Sequence, residues 1–324
     1  MPALKVEQRL DALSRLRDAP AEEAVAELRK ALADRVNVVV AKAAKIAADR
    51  QFQALTPDLL QAYERLFEDA VKRDPQCWGK TALARALKDL GYSESAPFLR
   101  GLEQKQMEPV WGGEVDTAEN LRGACLLALP QCPDLERGEA LRRFVDGLTE
   151  KSPAIRQEAA RGLGQMAGDE GALLLRLKAR VGDESPQVIG QVFDSLLAIE
   201  GESALRFVAN FLPVGNEAAE EAALALGSTR LEGAFEILRK AWTAARDPQF
   251  RAVLLRAASI SRLEAAIGWL VEMVRSGRKT EAESAIEALA LHASSEEIRR
   301  RVESAVAGRE GELQEAFRKY FGGS

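Results

Sequence analysis

Five turn signals recur along the chain at intervals of 33, 31, 31 and 31 residues, and this period limits the possible folds more than any other feature. They are Ser152-Pro153-Ala154-Ile155, Ser185-Pro186-Gln187-Val188, Asn216-Glu217-Ala218-Ala219, Asp247-Pro248-Gln249-Phe250 and Arg278-Lys279-Thr280-Glu281. A period of this size marks stacked supersecondary units, each too small to bury its own apolar face. Where Ser-Pro opens a repeat, the serine is placed to cap a helix. The proline takes the first helical position, where its missing N–H costs nothing.

The residues after each opening carry helical periodicity. Ile155, Ala159, Ala160, Leu163 and Ala167 stripe a first helix, Gly168-Asp169 ends it, and Leu173, Leu174, Leu177 and Val181 stripe a second. Likewise Val188, Val192, Leu196 and Ile199 precede Leu205, Val208 and Leu212, and Val253, Leu254, Ala257 and Ile260 precede Ile267, Leu270, Val271 and Val274. The pattern predicts an all-α fold: one continuous α-solenoid of about nine antiparallel helical hairpins, curved, with the second helices on the concave side. Glu310 to Phe321, with Leu313, Phe317 and Phe321 on one face, reads as a C-terminal capping helix within residues 310–324.

Ser152-Pro153-Ala154-Ile155-Arg156, followed by Ala159-Ala160, Leu163-Gly164 and Gly168-Asp169, resembles the repeat signature of bacterial HEAT repeats of the phycobilin-lyase-like subtype. The match extends over residues 152–309, weakening at Asn216 and Arg278 where the proline is missing. The resemblance implies a helical repeat array. It also brings in two enzymatic relatives, the bilin lyases and the HEAT-repeat hydroxylases that modify a protein lysine derivative. The hydroxylases carry several His-Glu metal-binding pairs, whereas His292 is the only histidine and is followed by Ala293. No distinctive lyase residue carries over.

Residues 119–309 form the regular array, and residues 1–118 read as irregular helices, including Val6 to Arg17, Ala21 to Ala33 and Pro57 to Arg73. Asp74-Pro75-Gln76-Cys77 is a further opening. The next first helix begins near Asp116-Thr117-Ala118-Glu119, 42 residues later, so about ten residues are inserted. The excess falls on residues 104–115, which hold Met107, Pro109, Trp111, Gly112 and Gly113 and lack a helical period. Insertions of this kind form loops, often on a binding face.

Composition narrows the function. A formal net charge of −5 argues against a general binder of nucleic acid or anionic membranes, and no apolar run approaches the length of a membrane span. The reading is a cytoplasmic protein without a cofactor or metal. Three cysteines, Cys77, Cys125 and Cys132, suit a reducing compartment rather than a disulfide framework or zinc site.

Several motifs have plain structural readings. Gly79-Lys80-Thr81 would complete a phosphate-binding loop only with glycine at position 74, which is Asp74, so Lys80 reads as a helix-surface charge. Gly162, Gly164 and Gly168 are spaced for close helix packing rather than for a dinucleotide. His292, Trp242 and Trp269 read as packing residues, and Glu220-Glu221 and Glu281-Glu283-Glu287 as solvated acidic faces.

Two features point outward. Trp111, with Met107 and Trp78, offers aromatic and flexible apolar area of the kind that anchors protein interfaces; the alternative places Trp111 as a plug between two imperfect repeats. Arg176, Lys178 and Arg180 form a basic stripe, with Arg142-Arg143, Arg156 and Arg161 in neighbouring elements. The expected function is a non-catalytic scaffold presenting a concave groove to a protein partner. The alternatives are nucleic-acid binding through the basic stripe and a bilin or small-molecule lyase.

Overall fold

The computed structural model describes residues 6–166, 168–309 and 311–322, so Ala167 of the first stripe and Glu310 of the expected cap lie outside the described residues. Within that span the chain is an all-α solenoid of twenty α-helices, most of which fall into two layers within each unit. It divides into two compact units, residues 1–166 and 167–324.

The first unit contains α1 (Val6–Arg15), α2 (Ala21–Leu32), α3 (Asn37–Asp49), α4 (Thr56–Arg65), α5 (Ala70–Arg73), α6 (Trp78–Asp89), α7 (Ala96–Leu102), β1 (Met107–Val110), β2 (Gly113–Asp116), α8 (Glu119–Leu126), α9 (Arg137–Leu148) and α10 (Pro153–Met166). α1, α3, α6, α8 and α10 pack in succession, and α2, α4, α7 and α9 lie against them. The small residues Ala43, Ala44 and Ala47 of α3 and Ala84 of α6 are completely buried, which suits close approach of these two helices.

The second unit contains α11 (Asp169–Val181), α12 (Pro186–Glu200), α13 (Glu202–Ala209), α14 (Glu217–Ser228), α15 (Glu232–Ala244), α16 (Pro248–Ile260), α17 (Glu264–Ser276), α18 (Lys279–Leu289), α19 (Glu296–Val306) and α20 (Gly311–Phe321). Its helices α12, α14, α16, α18 and α20 stack on one another, with α13, α15, α17 and α19 as the second layer. The five turn signals sit at the starts of α10, α12, α14, α16 and α18, the positions the period predicts. Asn216 caps α14 by accepting from Ala219 N at 3.1 Å, and Asp247 caps α16 by accepting from Phe250 N at 2.7 Å. Ser185 makes no such bond; its hydroxyl turns to Gln187, leaving Pro186 to set the start of α12. α14 and α16 meet backbone to backbone at Gly227, where a Cβ would strike the Ala257 carbonyl.

Several expectations are corrected. Pro57 to Arg73 is not one helix: it breaks after Arg65, and Asp69 turns left-handed at φ 47° before α5 begins. Acidic side chains at a helix C-terminus oppose its dipole, and aspartate tolerates this backbone region. Residues 104–115 are not irregular throughout, because β1 and β2 pair as an antiparallel hairpin. The stripe of Leu173, Leu177 and Val181 is 65%, 60% and 75% exposed, while Ala172, Leu175 and Ala179 form the buried face of α11. Two apolar faces compete on that helix and packing takes the one carrying alanines. Lys80 is not a surface charge but is completely buried.

His292, Trp242 and Trp269 are packing residues as read, whereas Glu281 and Glu221 are not simply solvated. His292 is half-buried with Nε2 3.0 Å from the Ser259 carbonyl, and Trp242 and Trp269 meet edge to face at 5.4 Å. Glu281 is half-buried and structural rather than simply solvated: it pairs with Arg251 and accepts from Arg278 N. Glu221 is also half-buried, and burial, then Asp194 and Glu220, raise its carboxyl above the ordinary range. Cys77, Cys125 and Cys132 are buried free thiols.

Candidate functional site

The inserted hairpin projects from the first unit between α7 and α8. Met107 pairs opposite Asp116, Glu108 opposite Val115, Pro109 opposite Glu114 and Val110 opposite Gly113, so Trp111-Gly112 forms a two-residue turn. Gly112 supplies a positive φ, +93°, at the third position of the turn, where a type II turn calls for glycine. Trp111 is fully exposed at this tip, which removes the reading of it as a plug between repeats. Met107 (48%), Val110 and Val115 are also exposed, giving the hairpin an apolar surface.

The base of the finger is polar and rigidly held. Glu108 is buried on the face opposite Met107 and accepts from Gln76 N at 2.7 Å, Gln106 Nε2 at 2.7 Å and Thr117 Oγ1 at 2.7 Å through one oxygen, and from Gln76 Nε2 at 3.2 Å through the other. Burial alone would raise its carboxyl; the bonds from Gln106, Thr117 and Gln76 outweigh burial and hold it below the ordinary range. Asp116, at the other strand end, accepts from Gln106 N and Ala118 N at 3.0 Å each and from Arg122 Nη1 at 2.8 Å. Here too burial raises the carboxyl and these bonds bring it below the ordinary range.

Beneath the hairpin lies the fully buried pair Lys80 and Asp74, with Nζ 3.1 Å from Oδ2. Lys80 Nζ also donates to Gln106 Oε1 at 2.9 Å and the Leu66 carbonyl at 3.2 Å. Asp74 accepts from Gly79 N at 2.7 Å, Lys80 N at 2.9 Å and Asn37 Nδ2 at 2.8 Å, so it caps the first turn of α6 from five residues upstream. The turn between them holds Gln76 and Cys77 left-handed at φ 61° and 54°, a costly conformation for two successive non-glycine residues. Glu108 grips that turn at Gln76, and Trp78 follows it, 56% exposed at the start of α6.

The structure thus places Trp78, Met107 and Trp111 on elements joined through the Gln76–Glu108 contact. Arg176, Lys178 and Arg180 lie on α11 of the second unit and are already engaged. Arg176 pairs with Glu200 through Nε at 2.9 Å, Lys178 pairs with Asp183 at 2.7 Å, and the guanidiniums of Arg176 and Arg180 lie over the Phe207 ring at 4.4 and 5.3 Å. Sequence reading missed Asp74, Gln76, Gln106, Glu108 and Asp116. The alternation of Gln106 and Glu108 with Met107 and Pro109, running into Gly112-Gly113, was the available strand-and-turn signal.

No family model and no curated protein matches the chain. Similar solved structures include an engineered protein (15% identity, 100% of this chain and 97% of that one, TM-score 0.38). They also include human deoxyhypusine hydroxylase in complex with glycerol (17% identity, 91% and 93%, TM-score 0.30) and a mutant of Kap121p (12% identity, 98% and 40%, TM-score 0.49). At these scores the likenesses carry no conclusion about activity, and the fold rests on the helix layers themselves. Among the described residues no group of three or more His, Cys, Asp or Glu side chains could hold a metal ion, and no helix is long and apolar enough to cross a membrane.

Proposed function

We propose that the chain is a non-catalytic protein-binding scaffold whose docking element is the hairpin of residues 107–116, with Trp111 as anchor and Met107 and Trp78 as further contacts. The observation that carries this reading is the full exposure of Trp111 on a hairpin rooted in a buried, hydrogen-bonded network. A large side chain with few rotatable bonds, held on a rigid support, loses little entropy on binding. The non-catalytic reading is supported by the cysteines and the histidine: burial pushes Cys77 and Cys125 up to about 12 and Cys132 up to about 11, and His292 faces a backbone carbonyl.

Nucleic-acid binding through Arg176, Lys178 and Arg180 is the weaker reading. Two of the three are held by carboxylates that phosphates would have to displace. The test is affinity capture from native lysate with wild type beside Trp111→Ala and an Arg176→Glu, Lys178→Glu variant. A protein retained at high salt by wild type and the charge variant, and lost with Trp111→Ala, supports the hairpin. Capture unchanged by Trp111→Ala, or elution of nucleic acid alone, overturns it.

A further inference from the structure

The first unit holds a cavity of about 560 Å³ lined by no residue of the hairpin, where three successive segments meet: the α2–α3 turn, the end of α4, and α5. Its lining includes Arg35, Arg65, Lys72 and Arg73, four cations in a chain whose net charge is −5. Two carboxylates also line it. Asp34 is bound by Arg9 and accepts from Val36 N at 2.8 Å, so its charge is already engaged, and Asp69 remains. Arg73 is shared with Glu68 at 3.1 Å. Among the described residues Arg35, Arg65 and Lys72 form no salt bridge, although Glu68 lies close enough to Arg65 to attract it.

Arg65 is the built part of the site. It is half-buried, and its Nη2 donates to the carbonyls of Leu32 at 2.7 Å and Asp34 at 3.2 Å, which fixes the guanidinium at the cavity wall with other donors still free. Burial and then the nearby Arg73 hold this guanidinium below its ordinary range, with Glu68 offsetting part of the effect; a bound anion would relieve the remaining like-charge tension. The apolar lining is limited to Ala33 and Leu66, and no aromatic ring is present on which a base could stack. Recognition must therefore come from charge and from the forked geometry of arginine, which matches phosphate oxygens.

We propose that this cavity binds a small molecule carrying adjacent phosphate groups, gripped by Arg65 and Arg73 with Arg35 and Lys72 at the rim. A single phosphate would leave most of the cavity empty and engage only some of the cations.

The test is isothermal titration calorimetry of the full chain with pyrophosphate, inorganic phosphate, sulfate and a single-stranded RNA oligomer at one ionic strength. Saturable pyrophosphate binding, about tenfold tighter than sulfate, is expected. Arg35→Glu with Lys72→Glu, both exposed and free of internal ion pairs, should weaken it by at least about thirtyfold with an unchanged circular dichroism spectrum. Arg65→Gln tests the anchored donor and is read only if its spectrum is also unchanged. Absence of saturable binding, sulfate binding as tight as pyrophosphate, affinity undiminished in R35E/K72E, or binding of the RNA without pyrophosphate would each overturn the proposal.

Discussion

Lys80 and Asp74 form an ion pair that is completely out of solvent, six residues apart across a left-handed turn. A buried pair of this kind contributes little net stability over an apolar replacement, yet breaking it strands a charge in the interior. Lys80→Met should therefore cost about 3 to 5 kcal/mol in urea unfolding. Asp74→Ala should cost more, because Gly79 N, Lys80 N and the Asn37 amide lose their acceptor as well. A loss below about 1 kcal/mol for Lys80→Met would show that the pair is not buried in solution.

The docking of the hairpin should be sensitive to acid. Glu108 and Asp116 both titrate below their ordinary range in the folded chain, so the unfolded chain takes up protons first as pH falls. Their contribution is complete above an unfolded carboxylate pKa of about 4 and is lost as pH drops through the lower folded values. Glu108→Gln should be less stable than wild type at pH 7 but lose less between pH 5 and about 3, measured as urea midpoints. Parallel pH profiles for the two proteins would remove Glu108 from this role.

The four tryptophans should separate by solvent access. Trp111 and Trp78 are exposed, whereas Trp242 is half-buried, with Arg251 3.9 Å above its ring and Trp269 at its edge. Trp78→Phe with Trp111→Phe should abolish most iodide-quenchable fluorescence while changing stability by less than about 0.5 kcal/mol. Retained quenching in that variant would contradict the exposure of the finger.

Gly227 tests the stacking of the second unit. Its helix approaches α16 so closely that a methyl group meets the Ala257 carbonyl, a backbone atom unable to move aside as a side chain would. Gly227→Ala should destabilise by about 1 to 3 kcal/mol despite the better helix propensity of alanine. Thermal unfolding that is unchanged or improved would mean that α14 and α16 sit further apart.

The sequence was most legible where interactions are local. Ser-Pro, Asn216 and Asp247 act within four residues, so they placed the starts of α10, α12, α14 and α16. The hairpin base was hidden because its bonds join residues about thirty apart, Asp74 to Gln106 and Gln76 to Glu108, and only the short alternation before Gly112-Gly113 hinted at a strand. Leu173, Leu177 and Val181 misled for another reason: helical period alone does not choose between two apolar faces on one helix. The exposure of Trp111 was written in its flanking residues only as the absence of a helix.

The extra residues after α7 read first as an interruption of the repeat, something a shorter relative could omit. Their interior face contradicts that. Without Gln106 the Lys80 ammonium loses an acceptor, and without Glu108 the strained Gln76 turn loses its hold. Trimming the chain back to a uniform period would thus take away a wall of the core along with the finger, and α6 would be left without its lining.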